Sequence, residues 1–502
     1  MEKFYITTPL YYVNDEPHIG HAYTTILADV ISRFNRSIGK KVFFLTGTDE
    51  HGQKVQEASE KRGVLPKEHA DEFVERFKNA WRNLDISYDH FIRTTDEDHK
   101  EKVKKILTSL YEKGDIYFDE YEGLYSVSEE RFITEKEKEE GQFREVKTIK
   151  EKNYFFRMSK YQKKLIDHIN KNENFIRPES RKNEILGFLK KPLNDLCISR
   201  PKSRLSWGID LPFDNDYVTY VWFDALINYI SGIGWGEKTS ENFDTYWPAD
   251  YHLMAKDILT THCVYWPTML MACDIDLPKS IFAHGWWLID NIKMSKSIGN
   301  VIKPLDLANE YGSDSLRYYL MRNMVLGQDS TFTTNSFIER YNADLANDYG
   351  NVVNRVVILT KKYYDSKIPE PGEYSEIDKN LINQFDNLSN VISLHLESLK
   401  IHELIKIIFS KIRLINKYLE EKEPWKTYKT NPNQKDVTAT TLYISIECIR
   451  ICSKLLNPIM PNKTKVVLNA IDSKESSLEF GEINFGQEIN SIPTLFPRIE
   501  LK

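Results

Sequence analysis

The first part of the chain alternates short apolar runs with polar loops and helical patterns. Residues 4–13 (FYITTPLYYV) are rich in aromatic and β-branched side chains and predict a buried strand near the N-terminus. A polar turn follows, then an apolar helical pattern through residues 27–31, and then KVFFL at 41–45, which predicts a second buried strand. This order of strand, polar loop and helix is typical of a parallel sheet, whose ligands lie beyond the carboxyl ends of its strands.

The pattern changes between residues 114 and 217. Residues 117–127 predict hairpin strands, and most of the residues from 129 to 152 are charged, which indicates a solvated surface rather than the floor of a site. We therefore predict that 114–217 is an α+β insertion in the sheet.

Apolar runs of the kind found in buried strands resume at Val218. Further strands are predicted at 251–254 and 280–287, so residues 218–284 should complete the sheet that 1–113 begins.

Beyond about residue 336 apolar residues recur at spacings of three and four, which is the period of amphipathic helices. The four stripes are Leu345, Tyr349, Val353, Val356 and Leu359; Leu381, Phe385, Leu388, Ile392, Leu396 and Leu399; Leu404, Ile408, Ile412, Ile415 and Leu419; and Leu442, Ile446, Ile449 and Leu456, which Pro458 stops. Four such helices predict an all-α bundle over 336–502.

The composition indicates a protein with several globular domains. The chain has 502 residues, of which 41% are hydrophobic, and a formal net charge of −6, so any contact with nucleic acid must be local. No apolar run is long enough to span a bilayer, and the first strand begins without a signal or transit peptide. We therefore expect a cytoplasmic protein with no membrane partner.

The 5 cysteines form no CxxC pair and indicate no disulfide framework. Cys448 and Cys452 lie four residues apart in a helical pattern and so share one helix face. Because no histidine or further cysteine stands near them in sequence, core packing is a better interpretation than a metal site.

Candidate chemistry begins with HIGH at residues 18–21, where a helix should start after the first strand. The N-terminus of a helix offers N–H groups and positive partial charge to a phosphate. His18 and His21 could donate hydrogen bonds to phosphate oxygens, and Gly20 would let a flat purine approach the backbone. The alternative is a turn that carries two surface histidines.

A second motif, KMSKS at 293–297, follows the last predicted strand. Lys293 and Lys296 stand among serines just before a glycine, which suits a loop that carries ammonium groups to a polyphosphate. By itself this motif could also be a solvated basic loop. HIGH followed by KMSKS resembles the paired signatures of class I aminoacyl-tRNA synthetases. This resemblance implies an α/β fold with a Rossmann-type parallel sheet that is split by the insertion and followed by the helical bundle.

Motifs along nearly the whole chain resemble those of the methionyl-tRNA synthetase family. They are TPLYYVN (8–14), GTDEHG (47–52), YEGLYS (121–126), NYFFR (153–157), WFDALINY (222–229), KDI (256–258), AHGWW (283–287), KMSKSIGN (293–300) and EPW (423–425). The resemblance implies an enzyme that uses ATP with Mg²⁺ to activate L-methionine as methionyl-adenylate. It would then transfer methionine to the 3′ end of tRNA(Met), elongator and initiator alike, for the initiation and elongation of protein synthesis.

The same resemblance implies the site residues. The methionine-binding positions are Leu10, Tyr12, Asp49, Trp222, Ala225, Tyr229 and His284. The ATP-binding positions are His18, Gly20, His21, Asp257, Lys293 and Lys296, and the two histidines and two lysines among them should also be catalytic. The anticodon-binding positions are Asn351, Arg355 and Trp425.

The implied residues make chemical sense, although two of them have other interpretations. Aromatic walls suit a polarizable thioether, and a carboxylate suits the substrate ammonium group. From the local pattern alone, Asp49 could be a helix N-cap, and Trp425 could cap the core of the bundle.

Two departures from the family pattern bear on metal content and assembly. Many members carry CxxC zinc knuckles in the insertion, but residues 126–143 contain no cysteine, so the chain resembles the zinc-free bacterial or organellar-like branch and we expect no metal site. Many members also extend into a C-terminal module that dimerises them, whereas this chain ends shortly after the bundle, so we expect a monomer. Residues 285–335 should hold the KMSKS loop and a region that contacts the tRNA stem.

Other functions remain to be weighed against this one. The leucine, isoleucine and valine enzymes insert a large editing domain, for which the charged insertion looks too small. A cysteine-specific enzyme would require a thiolate cage for zinc, and no suitable cysteine cluster exists. A catalytically silent paralogue that only binds tRNA would not need intact HIGH and KMSKS motifs.

Overall fold

The computed structural model describes residues 2–126, 131–133, 138, 146–237, 241–289, 292–293, 302–430, 435–471 and 477–500. The chain forms two compact units. Unit 1 consists of Met1–Pro17, Asn35–Trp81 and Ile86–His284, and unit 2 consists of His18–Phe34, Arg82–Asp85 and Gly285–Lys502.

The strands of the described residues are mostly short. They are β1 (Lys3–Thr7), β2 (Tyr11–Tyr12), β3 (Lys41–Asp49), β4 (His90–Arg93), β5 (Ile116–Ser126), β6 (Arg131–Ile133), β7 (Val146–Phe156), β8 (Ile176–Arg177), β9 (Leu196–Cys197), β10 (Ser199–Pro201), β11 (Asp210–Leu211), β12 (Asp214–Thr219), β13 (Tyr251–Ala255), β14 (Ile281–His284), β15 (Trp287–Ile289), β16 (Ile292–Lys293) and β17 (Ser330–Phe332).

Helices connect and cover these strands. The α-helices are Ile19–Ser37, Gln53–Arg62, Pro66–Asn83, Glu97–Glu112, Gln162–Lys171, Glu179–Phe188, Val221–Leu226, Asn228–Ser231, Glu241–Tyr246, Trp266–Ala272, Pro304–Tyr311, Ser313–Asn323, Thr334–Arg340, Asn351–Tyr364, Glu376–Asn383, Leu388–Glu397, Ile401–Lys422, Pro424–Thr430, Lys435–Leu456 and Pro461–Ala470. Two 3-10 turns, Met158–Tyr161 and Lys256–Ile258, and two π-helical segments, Thr261–Tyr265 and Tyr341–Gly350, complete the set.

Unit 1 is built on a parallel sheet, which confirms the predicted α/β fold class. Its strand order is β2-β3-β1-β13-β14-β8, and β4 also pairs with β3. Residues of the central strands such as Ile6, Phe44 and Leu253 are fully buried because helices cover both faces. Leu107 and Trp266 belong to two of these helices and share one core with other residues of the strands. Helices on both faces leave the carboxyl ends of the strands as the place for polar side chains.

The prediction of one continuous strand over residues 4–13 is wrong. Residues 4–13 form two strands instead of one, and both pair with β3. The break falls at Pro9, which has no N–H to donate to a ladder and fixes its own φ. The break matters for function because it places Leu10 and Tyr12 on a separate short segment beside the end of β3.

The predicted resumption of the sheet at Val218 is also wrong. The strand that contains Val218, β12, pairs antiparallel with β10 and β11 in a separate three-stranded sheet. The next strand of the parallel sheet is β13. A two-residue strand inside the predicted insertion, β8, pairs with β14 and forms an edge of the parallel sheet. Hydrophobic runs identify strands but do not tell which sheet they join.

The predicted hairpin region forms antiparallel structure, as expected. Strand β5 runs antiparallel to β7 over its whole length, in a four-stranded sheet with the order β6-β5-β7-β9. Much of the charged region between β5 and β7 lies outside the described residues.

Unit 2 contains the predicted helices. The apolar stripe residues are buried, apart from the partly buried Leu359. The second stripe is divided into two helices, Glu376–Asn383 and Leu388–Glu397, because Asn387 adopts a left-handed conformation with φ of 60°. The fourth helix ends at Leu456, just before Pro458, as the sequence predicts. In the part of the chain that the structure describes, no helix is both long and apolar enough to cross a membrane.

Candidate active site

The HIGH motif lies at the start of the helix Ile19–Ser37 in unit 2. The imidazoles of His18 and His21 stack with their centroids 3.7 Å apart and their planes inclined by 22°. The backbone N–H of Gly20 donates to His18 Nδ1 over 3.0 Å, and that of His18 donates to His21 Nδ1 over 3.4 Å. Because each Nδ1 accepts a hydrogen bond, the proton of each neutral ring lies on Nε2, where it can be donated to an anion.

The His18 ring lies directly against Gly20. A Cβ at this position would come within 2.9 Å of His18 Cε1 and 3.1 Å of His18 Nδ1. Any larger residue would therefore push the His18 ring from its position. The close approach explains the glycine through packing on His18, whereas the sequence analysis explains it through a bound purine.

The KMSKS motif lies almost entirely outside the described residues. Lys293 is the last residue of β16, which pairs antiparallel with β15. Its side chain and the whole of Lys296 are among the residues that are not described, so their roles stay predictions.

Three of the predicted methionine-binding residues meet at the end of β3 in unit 1. Asp49 is the last residue of β3, is only 4% exposed and pairs in register with Tyr12 of β2. The phenol of Tyr12 donates to the carbonyl oxygen of His51 over 2.9 Å, which fixes the ring beside the loop after Asp49. Leu10 is partly buried and packs against the main core of unit 1. A carboxylate at the carboxyl end of a strand, next to an aromatic ring, can bind an ammonium group.

The short helix Val221–Leu226 and the residues after it carry the aromatic members of the set. Trp222 is half-buried, and both Ala225 and Tyr229 are buried. The ring of Trp222 meets the imidazole of His262 edge to face, with centroids 6.5 Å apart. The phenol of Tyr229 hydrogen-bonds the same imidazole at Nε2 over 2.7 Å.

His262 therefore contacts two of the predicted methionine-binding residues, although the sequence analysis did not assign it. Its Nδ1–H donates to the carbonyl of Ile258 over 3.0 Å, so its Nε2 accepts the proton of Tyr229. Burial lowers the pKa of His262 to about 4, which keeps the ring neutral at physiological pH. The sequence signal was weak, since His262 is one polar residue in a π-helical turn shortly after the KDI motif.

The Tyr229 ring is held from its other side as well. It stacks on His252 with centroids 4.2 Å apart. His252 Nε2 accepts from the Trp266 indole over 3.3 Å, and its Nδ1–H donates to Thr7 Oγ1 over 2.8 Å. Burial is the main cause that holds the pKa of His252 well below its usual range, and His262 lowers it further. The result is an aromatic wall of neutral, fully bonded groups, which suits an uncharged thioether.

His284 and Asp257 occupy the ends of neighbouring strands. His284 is buried, is the last residue of β14 and pairs in register with Ala255. Asp257 follows β13 in a 3-10 turn and is exposed. Both positions are compatible with ligands at the carboxyl edge of the sheet, and the roles assigned to these residues stay predictions.

The structure brings two of the three predicted anticodon residues together in unit 2. The Arg355 guanidinium lies over the half-buried Trp425 ring, 5.0 Å from its centroid, and 4.0 Å from Glu420. Asn351, one helical turn before Arg355, is exposed and lines a cavity of about 490 Å³ between this helix and residues 492–498. A cationic and aromatic surface of this kind can stack an unpaired base.

Among the described residues, no group of three or more His, Cys, Asp or Glu side chains is arranged so that it could hold a metal ion.

Comparison with known proteins identifies the family. The family model for "tRNA synthetases class I (M)" matches residues 4–142 and 140–357. The model for "Anticodon binding domain of methionyl tRNA ligase" matches residues 368–500.

Individual relatives match over the full length of the chain. A methionine–tRNA ligase of Caldanaerobacter subterraneus subsp. tengcongensis is 44% identical over 510 residues, which cover 100% of this chain and 80% of the relative. One of Clostridium acetobutylicum is 45% identical and covers 100% of this chain and 79% of the relative.

Solved structures agree with these relatives. Mycobacterium tuberculosis methionyl-tRNA synthetase in complex with methionyl-adenylate superposes with a TM-score of 0.95 and 38% identity, over 99% of this chain and 100% of that one. The free form of the same enzyme superposes with a TM-score of 0.89 and 36% identity, over 100% of this chain and 99% of that one. The chain therefore belongs to the methionine–tRNA ligase family of class I aminoacyl-tRNA synthetases.

Proposed function

We propose that the chain activates L-methionine with ATP and joins it to tRNA(Met). The observation that carries this proposal is the presence on one chain of a match to the class I (M) synthetase model and a match to the methionyl anticodon-binding model. The methionyl-adenylate bound by the similar Mycobacterium tuberculosis enzyme supports the first step.

Methionine would be bound by residues of unit 1. The Asp49 carboxylate would hold the substrate ammonium group by a charge-assisted hydrogen bond. Leu10, Tyr12, Trp222, Ala225, Tyr229 and His284 would surround the side chain, together with His262. Support comes from the neutral state of His262, because a charged imidazole would disfavour an apolar thioether.

The phosphates of ATP would be bound by residues of unit 2. His18 and His21 would donate their Nε2–H groups to phosphate oxygens at the start of the helix, since the Nδ1 atom of each ring already accepts a backbone N–H. Lys293 and Lys296 would add positive charge, and Asp257 is the further position that the family resemblance assigns to ATP, at the ribose. Mg²⁺ would arrive with its substrate as the Mg–ATP complex, and we assign it no protein ligand.

The reaction takes two steps. In the first, an oxygen of the methionine carboxylate attacks the α-phosphorus of ATP, and the bond to pyrophosphate breaks. In the second, a ribose hydroxyl of the terminal tRNA adenosine, the 2′-OH by analogy with class I enzymes, attacks the carbonyl carbon of the adenylate, and AMP leaves. The attacking carboxylate is already ionised, so the first step needs positioning and stabilisation of phosphate charge rather than a protein base.

The bundle would select the tRNA. We propose that Asn351, Arg355 and Trp425 contact the anticodon, since the stacked Arg355 and Trp425 form a surface that suits a base. Both elongator and initiator tRNA(Met) would be substrates because they share that anticodon. We further propose a cytoplasmic monomer that needs no zinc. Its regions would follow the divisions of the sequence analysis at 114, 285 and 336, whereas the division at 218 is not kept because it cuts strand β12.

Amino-acid-dependent exchange of labelled pyrophosphate into ATP tests the activity. Assayed across the twenty amino acids, only methionine should support rapid exchange. Equal exchange with another amino acid, or none with any, would contradict the proposal. Asp49→Asn tests the pocket, because it keeps the shape of the side chain and removes its charge. It should raise the KM for methionine by about 10- to 100-fold and leave the KM for ATP within about twofold.

His21→Ala tests the phosphate site. It should lower the rate of adenylate formation by about 10²-fold or more, which is the scale of one lost transition-state donor, and change methionine affinity little. A near-normal rate in rapid-quench measurements would remove His21 from the mechanism.

A further inference from the structure

The loop that follows Asp49 is tied to the protein by buried charged side chains. Glu50, directly after Asp49, accepts from the Arg93 guanidinium at 2.7 and 2.8 Å and from the hydroxyls of Thr48 and Thr95 at 2.7 and 2.6 Å. The next residue, His51, is 4% exposed. The loop directly after Asp49 is thus fixed by the bonds of Glu50 and by the burial of His51.

His51 binds Asp224, a residue of the helix Val221–Leu226. The distance between His51 Nδ1 and Asp224 Oδ2 is 2.6 Å. Asp224 lies on this helix between Trp222 and Ala225, two members of the proposed methionine wall. One short bond therefore joins the loop of the proposed ammonium site to the helix of the proposed thioether wall.

A second histidine holds Asp224 from the helix Glu97–Glu112. His99 Nε2 lies 2.7 Å from Asp224 Oδ1, and His99 Nδ1 lies 2.7 Å from the Ser231 hydroxyl. An ionised carboxylate only accepts hydrogen bonds, so each imidazole donates one N–H to Asp224. Both oxygens of Asp224 are in this way used by side chains of other elements.

The Asp224 carboxylate stays ionised although it is buried. Burial by itself would raise the pKa of the Asp224 carboxyl, but the imidazoles of His51 and His99 outweigh it and hold the pKa below its usual value. A buried ion pair adds little net stability compared with apolar residues of the same volume, whereas its hydrogen bonds fix distance and direction. This arrangement fits a positioning role better than a purely stabilising one.

We propose that Asp224 is a positioning residue that sets the length of amino acid the pocket accepts. By joining His51 to the helix Val221–Leu226, it fixes the separation between the Asp49 carboxylate and the side chains of Trp222 and Ala225. An amino acid whose side chain is longer or shorter than that of methionine then cannot satisfy both ends. The inference rests on the proposed methionine pocket.

Asp224→Asn tests this role with little change in volume. The amide offers one acceptor and one donor where the carboxylate offers two acceptors, so one imidazole must change tautomer to keep its bond, and the attraction of both imidazoles to a negative charge is lost. The KM for methionine in ATP–pyrophosphate exchange should rise about 10- to 100-fold, as for a misplacement of about 1 Å or less, while the KM for ATP stays within about twofold. The preference for methionine over ethionine, which is one methylene longer, should fall by at least about fivefold.

Lys102→Met is the matched control. Lys102 lies on the same helix as His99, is 5% exposed and donates to the carbonyl of Ser231 and to two carboxylates, but it does not contact Asp224. It should lower the thermal midpoint without changing the KM for methionine or the discrimination. The same kinetic changes in Lys102→Met would mean that general loosening causes them, and would overturn the proposal.

Two further variants complete the test. His99→Gln covers the case in which Asp224→Asn does not fold. It removes the imidazole of His99 and keeps the bond between His51 and Asp224. It should shift the KM and the discrimination in the same direction by a smaller factor, and unchanged values in a folded variant of either kind would overturn the proposal. Asp49→Asn separates this failure from a failure of the pocket itself, because an unchanged KM for methionine in that variant would refute the pocket.

Discussion

Gly20→Ala should separate catalysis from stability at the HIGH turn. The added Cβ would lie 2.9 Å from His18 Cε1, whereas ordinary contact begins at 3.4 Å, so the His18 ring must move by 0.5 Å or more. A donor displaced by this much from a transition state loses much of its effect, since an error of 1 Å can cost 10²-fold. We therefore expect adenylate formation to slow by about 10- to 100-fold.

The same substitution should not lower the stability of the fold and could raise it slightly. Gly20 lies in the first turn of a helix without a positive φ, and alanine is favoured over glycine in helices by up to about 1 kcal/mol. The thermal midpoint should stay equal or rise slightly. A slower enzyme that is at least as stable would locate the effect at the His18 ring.

Gly187→Ala is the matched control for this variant. Gly187 also lies in a helix, Glu179–Phe188, and a Cβ there would have no atom within 4 Å. It should leave the kinetics unchanged with a similar effect on stability. Rapid-quench measurement of adenylate formation and calorimetry on all three proteins decide the matter. A normal rate in Gly20→Ala would show that the position of the His18 ring does not limit the reaction.

Three other predictions follow from the anticodon surface, the buried histidine and the insertion. Trp425→Ala should leave ATP–pyrophosphate exchange nearly unchanged and lower kcat/KM for tRNA about 5- to 150-fold, the value of one stacked base; a destabilised variant with undiminished anticodon preference would instead show that Trp425 only packs. Burial lowers the pKa of His262 from 6.5 to about 4. Between these pH values the imidazole is therefore protonated in the unfolded chain but neutral in the folded chain. The free energy of unfolding should thus fall between pH 6.5 and 4 by up to about 3 kcal/mol for this residue, and His262→Gln should remove that part of the slope in chemical denaturation. Dialysis against a chelator, followed by return of Mg²⁺, should leave exchange activity intact, and about one zinc per chain by elemental analysis would contradict this.

Local patterns in the sequence determined the features whose parts are close along the chain. The apolar stripe of the helix Ile401–Lys422 repeats every three or four residues, so its buried face could be identified without the fold. His18, Gly20 and His21 lie within one helical turn, so their motif alone was enough to predict a phosphate site. Pro458 likewise marked the end of a helix.

The left-handed Asn387 shows where local pattern fails. The apolar spacing continues across it from Leu381 to Leu399, yet the backbone turns there and two helices form. The spacing of apolar residues predicts which side chains are buried. It does not reveal a single residue with a positive φ that ends one helix and starts another.

Only the tertiary structure decided which distant side chains meet. Tyr229 and His262 are 33 positions apart, and His51 and Asp224 are 173 positions apart. The sequence contains several histidines that follow strands or start helices, and nothing local distinguishes His262, which bonds Tyr229, from His284, which ends β14. The choice depends on the order and register of the strands and on the rotation of the short helices after them. These are set by packing of the whole core, where each side chain excludes the others from its volume.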